Sequence, residues 1–227
     1  MITENIQLIR EQIRQAAIAA GRDPESITLC AATKMNDAQR VKTAVAAGVD
    51  CCGENRVQEL TEKLAQNAYD GAPVHFIGHL QTNKVKQVVG KVDLIQSVDS
   101  LRLLQAIHNQ AEKLGICQDI LLEINVAGEE SKSGIAPEEL YGILETVQTF
   151  SGVRVIGLMA IPPVSVNQGD NLHWFKEMHR LFLRLPEYGC QAQILSMGMT
   201  NDYTDAIACG STMIRVGTAI FGQRVYK

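Results

Sequence analysis

The sequence predicts an α/β fold: a single (β/α)8 TIM barrel with one extra helix ahead of the first strand. Two observations carry this. Short runs rich in β-branched residues alternate with amphipathic segments from end to end, and eight such strand runs can be counted. An open doubly wound sheet also alternates, but it rarely needs eight strands in 227 residues, and no Gly-x-Gly-x-x-Gly follows the first strand. No Ser/Gly/Pro-rich linker or low-complexity tract breaks the pattern, so residues 1–227 are expected to form one domain.

The elements follow in order. Residues 3–20 carry Ile6, Ile9, Ile13 and Ala17 on one helical stripe, expected to pack onto the barrel or cover its lower end. Strands are predicted near 27–33, 49–53, 74–78, 93–98, 119–126, 153–160, 192–197 and 212–217. Helices are predicted near 37–47, 55–67, 81–90, 100–114, 137–150, 168–186 and 201–208. Asp37, Asn55, Asp99 and Asn201 stand at helix starts as candidate caps, and Pro137 suits a first helical turn.

Composition narrows the function classes. The formal net charge is −4 and the basic residues are scattered, which argues against a general nucleic-acid binder. The first residues lack the layout of a signal peptide, and no apolar stretch approaches the ~20 residues needed to span a bilayer, so a cytoplasmic protein is expected. Cys30, Cys51, Cys52, Cys117, Cys190 and Cys209 show no Cys-x-x-Cys spacing, and Cys51 and Cys52 would point to opposite faces of a strand. The five histidines form no His-Glu-x-x-His pattern, so neither a metal site nor a disulfide framework is expected.

Lys34 is the most informative residue, because it ends the apolar run from Ile27 to Thr33 and so projects from the tip of a buried strand. A partly desolvated amine in that position suits Schiff-base chemistry on a carbonyl compound; taken alone it could equally be a rim lysine reaching solvent. Barrel active sites form where strands end, and polar or small residues gather at those points here: Gly53-Glu54-Asn55, Gly78 to Lys84, Asn125, Ser131 to Gly134, Gly157 to Ala160, Ser196 to Thr200 and Arg215 to Thr218. Singly, Asn55 reads as a helix cap and Met159 as core filler. Together they converge on one rim.

The last two segments resemble a phosphate cradle, since small residues let backbone N–H groups approach an anion and the hydroxyls of Ser196 and Thr218 add donors beside Gly217. A lysine on strand one facing such a cradle suits a phosphorylated aldehyde. Arg215 inside a barrel end needs an anion or an acceptor, either a buried carboxylate or a ligand. Against a pyridine nitrogen it would leave the ring unprotonated and a weak electron sink.

The motifs Ala32-Thr33-Lys34, Gly53 to Glu59, Phe76 to Lys84, Ser131 to Gly134, Gly157 to Ile161, Ser196 to Met199 and Gly210 to Gly222, in this order, resemble the pyridoxal phosphate homeostasis proteins, the YggS/PROSC family. Their fold is the barrel seen in the first domain of alanine racemase. The resemblance covers nearly the whole chain; Thr200 and Tyr203 stand where members vary. It implies pyridoxal 5'-phosphate (PLP) held as an aldimine on Lys34, Asn55 near the ring hydroxyl, and Met159 beside the ring. It also implies phosphate contacts from Ser196, Gly217 and Thr218, with Arg215 near the ring nitrogen or the phosphate. The chain leaves no residues for a racemase's second domain, so an open cofactor face, a monomer and negligible turnover are expected. The expected role is PLP (vitamin B6) homeostasis with PLP-dependent apoenzymes as recipients. Two competing readings are an amino-acid racemase using Lys34 and Tyr203 as bases and a cofactor-free Schiff-base aldolase.

Overall fold

The protein is described as a computed structural model covering residues 1–129 and 132–222; Ser131, in one of the motifs above, lies outside the described residues. Eight strands, β1 (Thr28–Ala32), β2 (Cys51–Glu54), β3 (Val74–Phe76), β4 (Leu94–Val98), β5 (Gln118–Glu123), β6 (Val153–Met159), β7 (Ile194–Ser196) and β8 (Met213–Val216), pair in sequence order into a closed barrel. All pairs are parallel, and β8 returns to β1 with Cys30 opposite Arg215. The α/β (β/α)8 prediction therefore holds.

Strand alternation sorts the side chains into two cores. Leu29, Ala31, Cys52, Phe76, Ile95, Leu122, Leu158, Leu195 and Ile214 join the layer shared with the helices. Leu94, Leu121, Ile156 and Met159 form one interior cluster, and Cys30, Cys51 and Met213 form another. Cys51 and Cys52 do part to opposite faces. Two glycines are dictated by close approach: a Cβ at Gly157 would lie 1.8 Å from the Ile194 carbonyl oxygen, and one at Gly78 would lie 2.2 Å from that of Asn55.

The helices are α1 (Ile2–Ala19), α2 (Ala38–Ala46), α3 (Val57–Ala65), α4 (Leu101–Leu114), α5 (Leu140–Val147), α6 (Leu172–Leu183), α7 (Tyr203–Ala208) and α8 (Thr218–Phe221). Helix α1 buries Ile6, Ile9, Ile13 and Ala17 as its stripe predicts, and lies against α2, α7 and α8. It thus spans the first and last helices of the ring. Asn5 donates to the Ile220 carbonyl at 2.9 Å, and Arg22, just beyond α1, donates to those of Ile207 and Ser211.

Several boundaries differ from expectation. The helix predicted over 81–90 is a 3-10 turn, Thr82–Gln87; Val85 within it and Val88 and Val89 after it make a poor α-helical run. The 168–186 helix stops at Leu183, and Pro186 sits in the 3-10 turn that follows. Pro137 precedes α5, in a turn closed by Glu139 N–H donating to the Ala136 carbonyl. Of the four candidate caps only Asp37 acts as one, accepting from Arg40 N–H at 2.8 Å. Ser100 caps α4 in place of Asp99, Arg56 occupies the cap position of α3 without a side-chain bond, and Asp202 occupies that of α7.

Candidate functional site

The strand ends of β1, β2, β6, β7 and β8 bring the predicted residues to one mouth. Lys34 lies two residues beyond β1, in a turn where Met35 adopts φ 60°. Cys30 faces the interior and the alternation carries through Ala32 to Lys34; Ala32 abuts Gly217 across the β1–β8 junction.

A buried polar network clamps that turn. Thr33 N–H and Oγ1 both donate to the Gly53 carbonyl, at 2.9 and 3.1 Å. Lys63 of α3 donates to the Thr33 carbonyl at 2.8 Å and to Glu54 Oε2 at 2.7 Å, while Tyr69 and Thr33 hydroxyls donate to the same carboxylate oxygen. Glu59 Oε2 accepts from Met35 N–H at 2.6 Å, and Asn36 donates to the Lys34 carbonyl at 3.0 Å. Burial pushes the Tyr69 phenol far above its usual range, so it stays a donor. Glu54 is thus a structural anchor whose bonds run toward α3.

Asn55 continues the inward alternation of Cys51 and Gly53, and it is half-buried. Its Oδ1 is buried and has no hydrogen-bond donor among the described residues. Glu54 Oε1 shares that condition, though its sister oxygen carries three donors. An orphaned acceptor beside the lysine turn costs ~1–3 kcal/mol unless a ligand supplies the donor.

Across the mouth, Ser196 and Arg215 are both buried. Arg215 Nη1 donates to Ser196 Oγ at 2.6 Å and Nη2 to the Ala160 carbonyl at 2.9 Å; Ser196 Oγ in turn donates to Gln96 Oε1 at 2.7 Å. No carboxylate lies within ion-pair distance of Arg215 among the described residues; there its guanidinium is held by neutral oxygens. Met159 is fully buried on the interior side, Gly217 opens α8, and Thr218 is exposed at its start.

The sequence reading did not single out Glu123. Glu123, at the end of β5, is buried, and burial followed by the nearby Asp99 charge pushes its carboxyl above the usual range while Arg215 and His79 pull it back. A lone acid in the run Ile120-Leu-Leu-Glu-Ile124 was the available signal. Near the same rim, His79 Nδ1 meets Asp99 Oδ2 at 3.0 Å. Conversely, Tyr203 is withdrawn from the candidate bases. It is buried with its hydroxyl donating to Gln12 of α1, so it serves helix packing.

A closed parallel barrel with a lysine turn after β1 and a buried Ser–Arg pair bridging β7 and β8 defines an alanine-racemase-type barrel. The family model described as alanine racemase, N-terminal domain, matches residues 2–225. Alanine racemase of Clostridium difficile shares the fold at 15% identity and TM-score 0.70, over 97% of this chain and 57% of that one. Pyridoxal phosphate homeostasis proteins are 40% identical over 98% of both chains in Aquifex aeolicus, and 37% identical over 100% of this chain and 98% of the relative in Escherichia coli. PipY of Synechococcus elongatus, solved with PLP bound, superposes with TM-score 0.85 at 31% identity, over 98% of this chain and all of that one. The chain belongs to the pyridoxal phosphate homeostasis protein family.

Proposed function

We propose that this protein binds PLP at the C-terminal mouth of its barrel, attached covalently and reversibly through Lys34, and that it holds and releases the cofactor without turning over a substrate. The observation that carries this reading is the buried Asn55 Oδ1, which has no donor among the described residues, beside the clamped Lys34 turn, an acceptor suited to the ring hydroxyl of a pyridoxal. PLP, when bound, supplies an aldehyde that links reversibly to amines and a phosphate that needs hydrogen-bond donors.

The chain's own residues then divide the work. The Lys63–Glu54–Glu59 network holds the attachment turn. Asn55 orients the ring, and Met159 packs beside it. Ser196, Gly217 and Thr218 receive the phosphate, with Arg215 supplying a buried positive charge held by Ser196 and Ala160. We read the site as one of storage and delivery, with PLP-dependent apoenzymes as recipients in the cytoplasm and the protein acting as a monomer. Tyr203, the one residue named as a second base, is engaged with Gln12, which weighs against racemisation.

The test is a visible spectrum of the purified protein before and after borohydride, with mass spectrometry of the reduced adduct. A yellow chromophore fixed on Lys34 supports the reading; an adduct on Lys84 or Lys132, or a colourless protein that takes up no PLP, overturns it. Incubation with L- and D-amino acids, followed for racemisation and α-hydrogen exchange, tests the absence of turnover.

A further inference from the structure

Beneath the mouth the barrel interior is not the plain apolar plug that its strands suggest. Cys30 and Cys51 are direct partners on β1 and β2, and His75 stands on β3 one inward position further along. The two Sγ atoms and a ring nitrogen of His75 all lie within 4.8 Å of one another, and all three side chains are buried. Cys117, by contrast, is exposed, and Cys190 and Cys209 belong to the outer core. The spacing argument against a metal group held along the chain but not across it, because three consecutive strands of a barrel align residues that are about twenty apart in sequence.

We infer that Cys30, Cys51 and His75 form a binding site for a thiophilic divalent ion of the zinc class. Three ligands of Cys2His type with a fourth side left open are an ordinary zinc set. The fourth side is the Met213 thioether, which packs with both cysteines and keeps hard ions out. Charge balance selects a dication: each thiol releases its proton to solvent as a metal–sulfur bond forms, two thiolates offset the ion's two charges, and the dry interior gains no net charge. The outer support is also present. His75 Nδ1 meets the Gln96 side-chain nitrogen at 2.9 Å, and that nitrogen also meets Met213 Sδ at 3.1 Å. A half-turn of the Gln96 amide, with Ser196 Oγ then accepting from Gln96 Nε2 instead of donating to its oxygen, puts that oxygen against His75 Nδ1–H and leaves His75 Nε2 as the ligand atom, the arrangement that orients most metal-bound imidazoles.

The site does not depend on the cofactor reading, since none of its residues is an attachment or phosphate residue. Because it is enclosed, it is loaded during folding. Full-length protein refolded with Zn2+, then passed through excess chelator, is expected to retain one zinc per chain by elemental mass spectrometry. Refolded with Cd2+ instead, it is expected to show sulfur-to-metal charge-transfer absorption. Cys30→Ser and Cys51→Ser should each weaken retention by more than about 100-fold, while Cys117→Ser and Lys34→Ala leave it unchanged. Wild-type protein that refolds natively yet holds no zinc, cadmium binding without the charge-transfer band, or zinc retained by the Cys30→Ser/Cys51→Ser double variant each overturns the site. A loss confined to Cys117→Ser would assign the ion to the surface and overturn it too.

Discussion

Asn55 illustrates how a residue can be legible in the wrong role. Its position before an apolar helical run reads as a cap, yet the cap position falls to Arg56 and the Asn55 oxygen is left inward, with no donor among the described residues. Asn55→Ala is therefore expected to leave the fold intact, and to shift the absorbance and speed PLP release in a dialysis assay. Ser196→Ala removes a hydrogen bond to an anion worth ~1.5–3 kcal/mol, so PLP retention should fall about 10- to 150-fold, and further with Thr218→Ala. Unchanged retention in that double variant would move the phosphate elsewhere. Glu123 escaped notice because an acid inside a strand gives no motif; its meaning comes from burial and from Asp99 on another strand end. Its carboxyl titrates above the ordinary ~4.3 of an unfolded chain, so the folded state keeps a proton that the unfolded state has already released. Stability is then lost as pH rises through that window. Glu123→Gln should melt higher than wild type at neutral pH and match it below the unfolded value; a constant difference at all pH values would contradict this.

At the level of elements, helix α3 matters more than its length suggests, because Lys63 and Glu59 reach from it to both sides of the Lys34 turn. Removing one member of a buried ion pair strands the other, a cost of ~3–5 kcal/mol. Lys63→Met is expected to destabilise the protein by that order in urea titration and to slow PLP uptake. Lys63→Met/Glu54→Leu should recover much of the stability without recovering the uptake, which separates support of the fold from support of the turn. Hydrophobic periodicity marked α1 and all eight strands, since those signals depend on which face is buried. Helix starts were less legible: Asp37, Ser100 and Asp202 occupy the cap positions, whereas Asp99 and Asn201 are equally good cap residues placed one step away. The Lys63 network was invisible for a related reason, as a lysine on an amphipathic helix ordinarily faces water.

For the whole molecule, closure of the barrel decides what the sequence can only order. Eight strands in a row were readable, but which interior residues share a layer depends on register, and register brings Cys30 beside both Cys51 and Arg215. The barrel's pairing is also uneven. Strands β5 and β6 match over six positions, whereas β7 and β8 share the one register pair Ser196–Met213, joined around it by Thr212 N–H to Leu195, Met197 N–H to Met213 and Arg215 N–H to Gly198. Amide exchange followed by mass spectrometry should find β7 and β8 opening before β5 and β6 in the cofactor-free protein. A phosphate held jointly by Ser196 and the start of α8 would lie across that seam, and exchange there should slow on adding PLP while β5 and β6 stay as they were. The shorter seam then acts as a clasp: the hoop is fastened further by its own cargo, so a recipient that pries β7 from β8 would loosen the cofactor without having to reach the lysine at all.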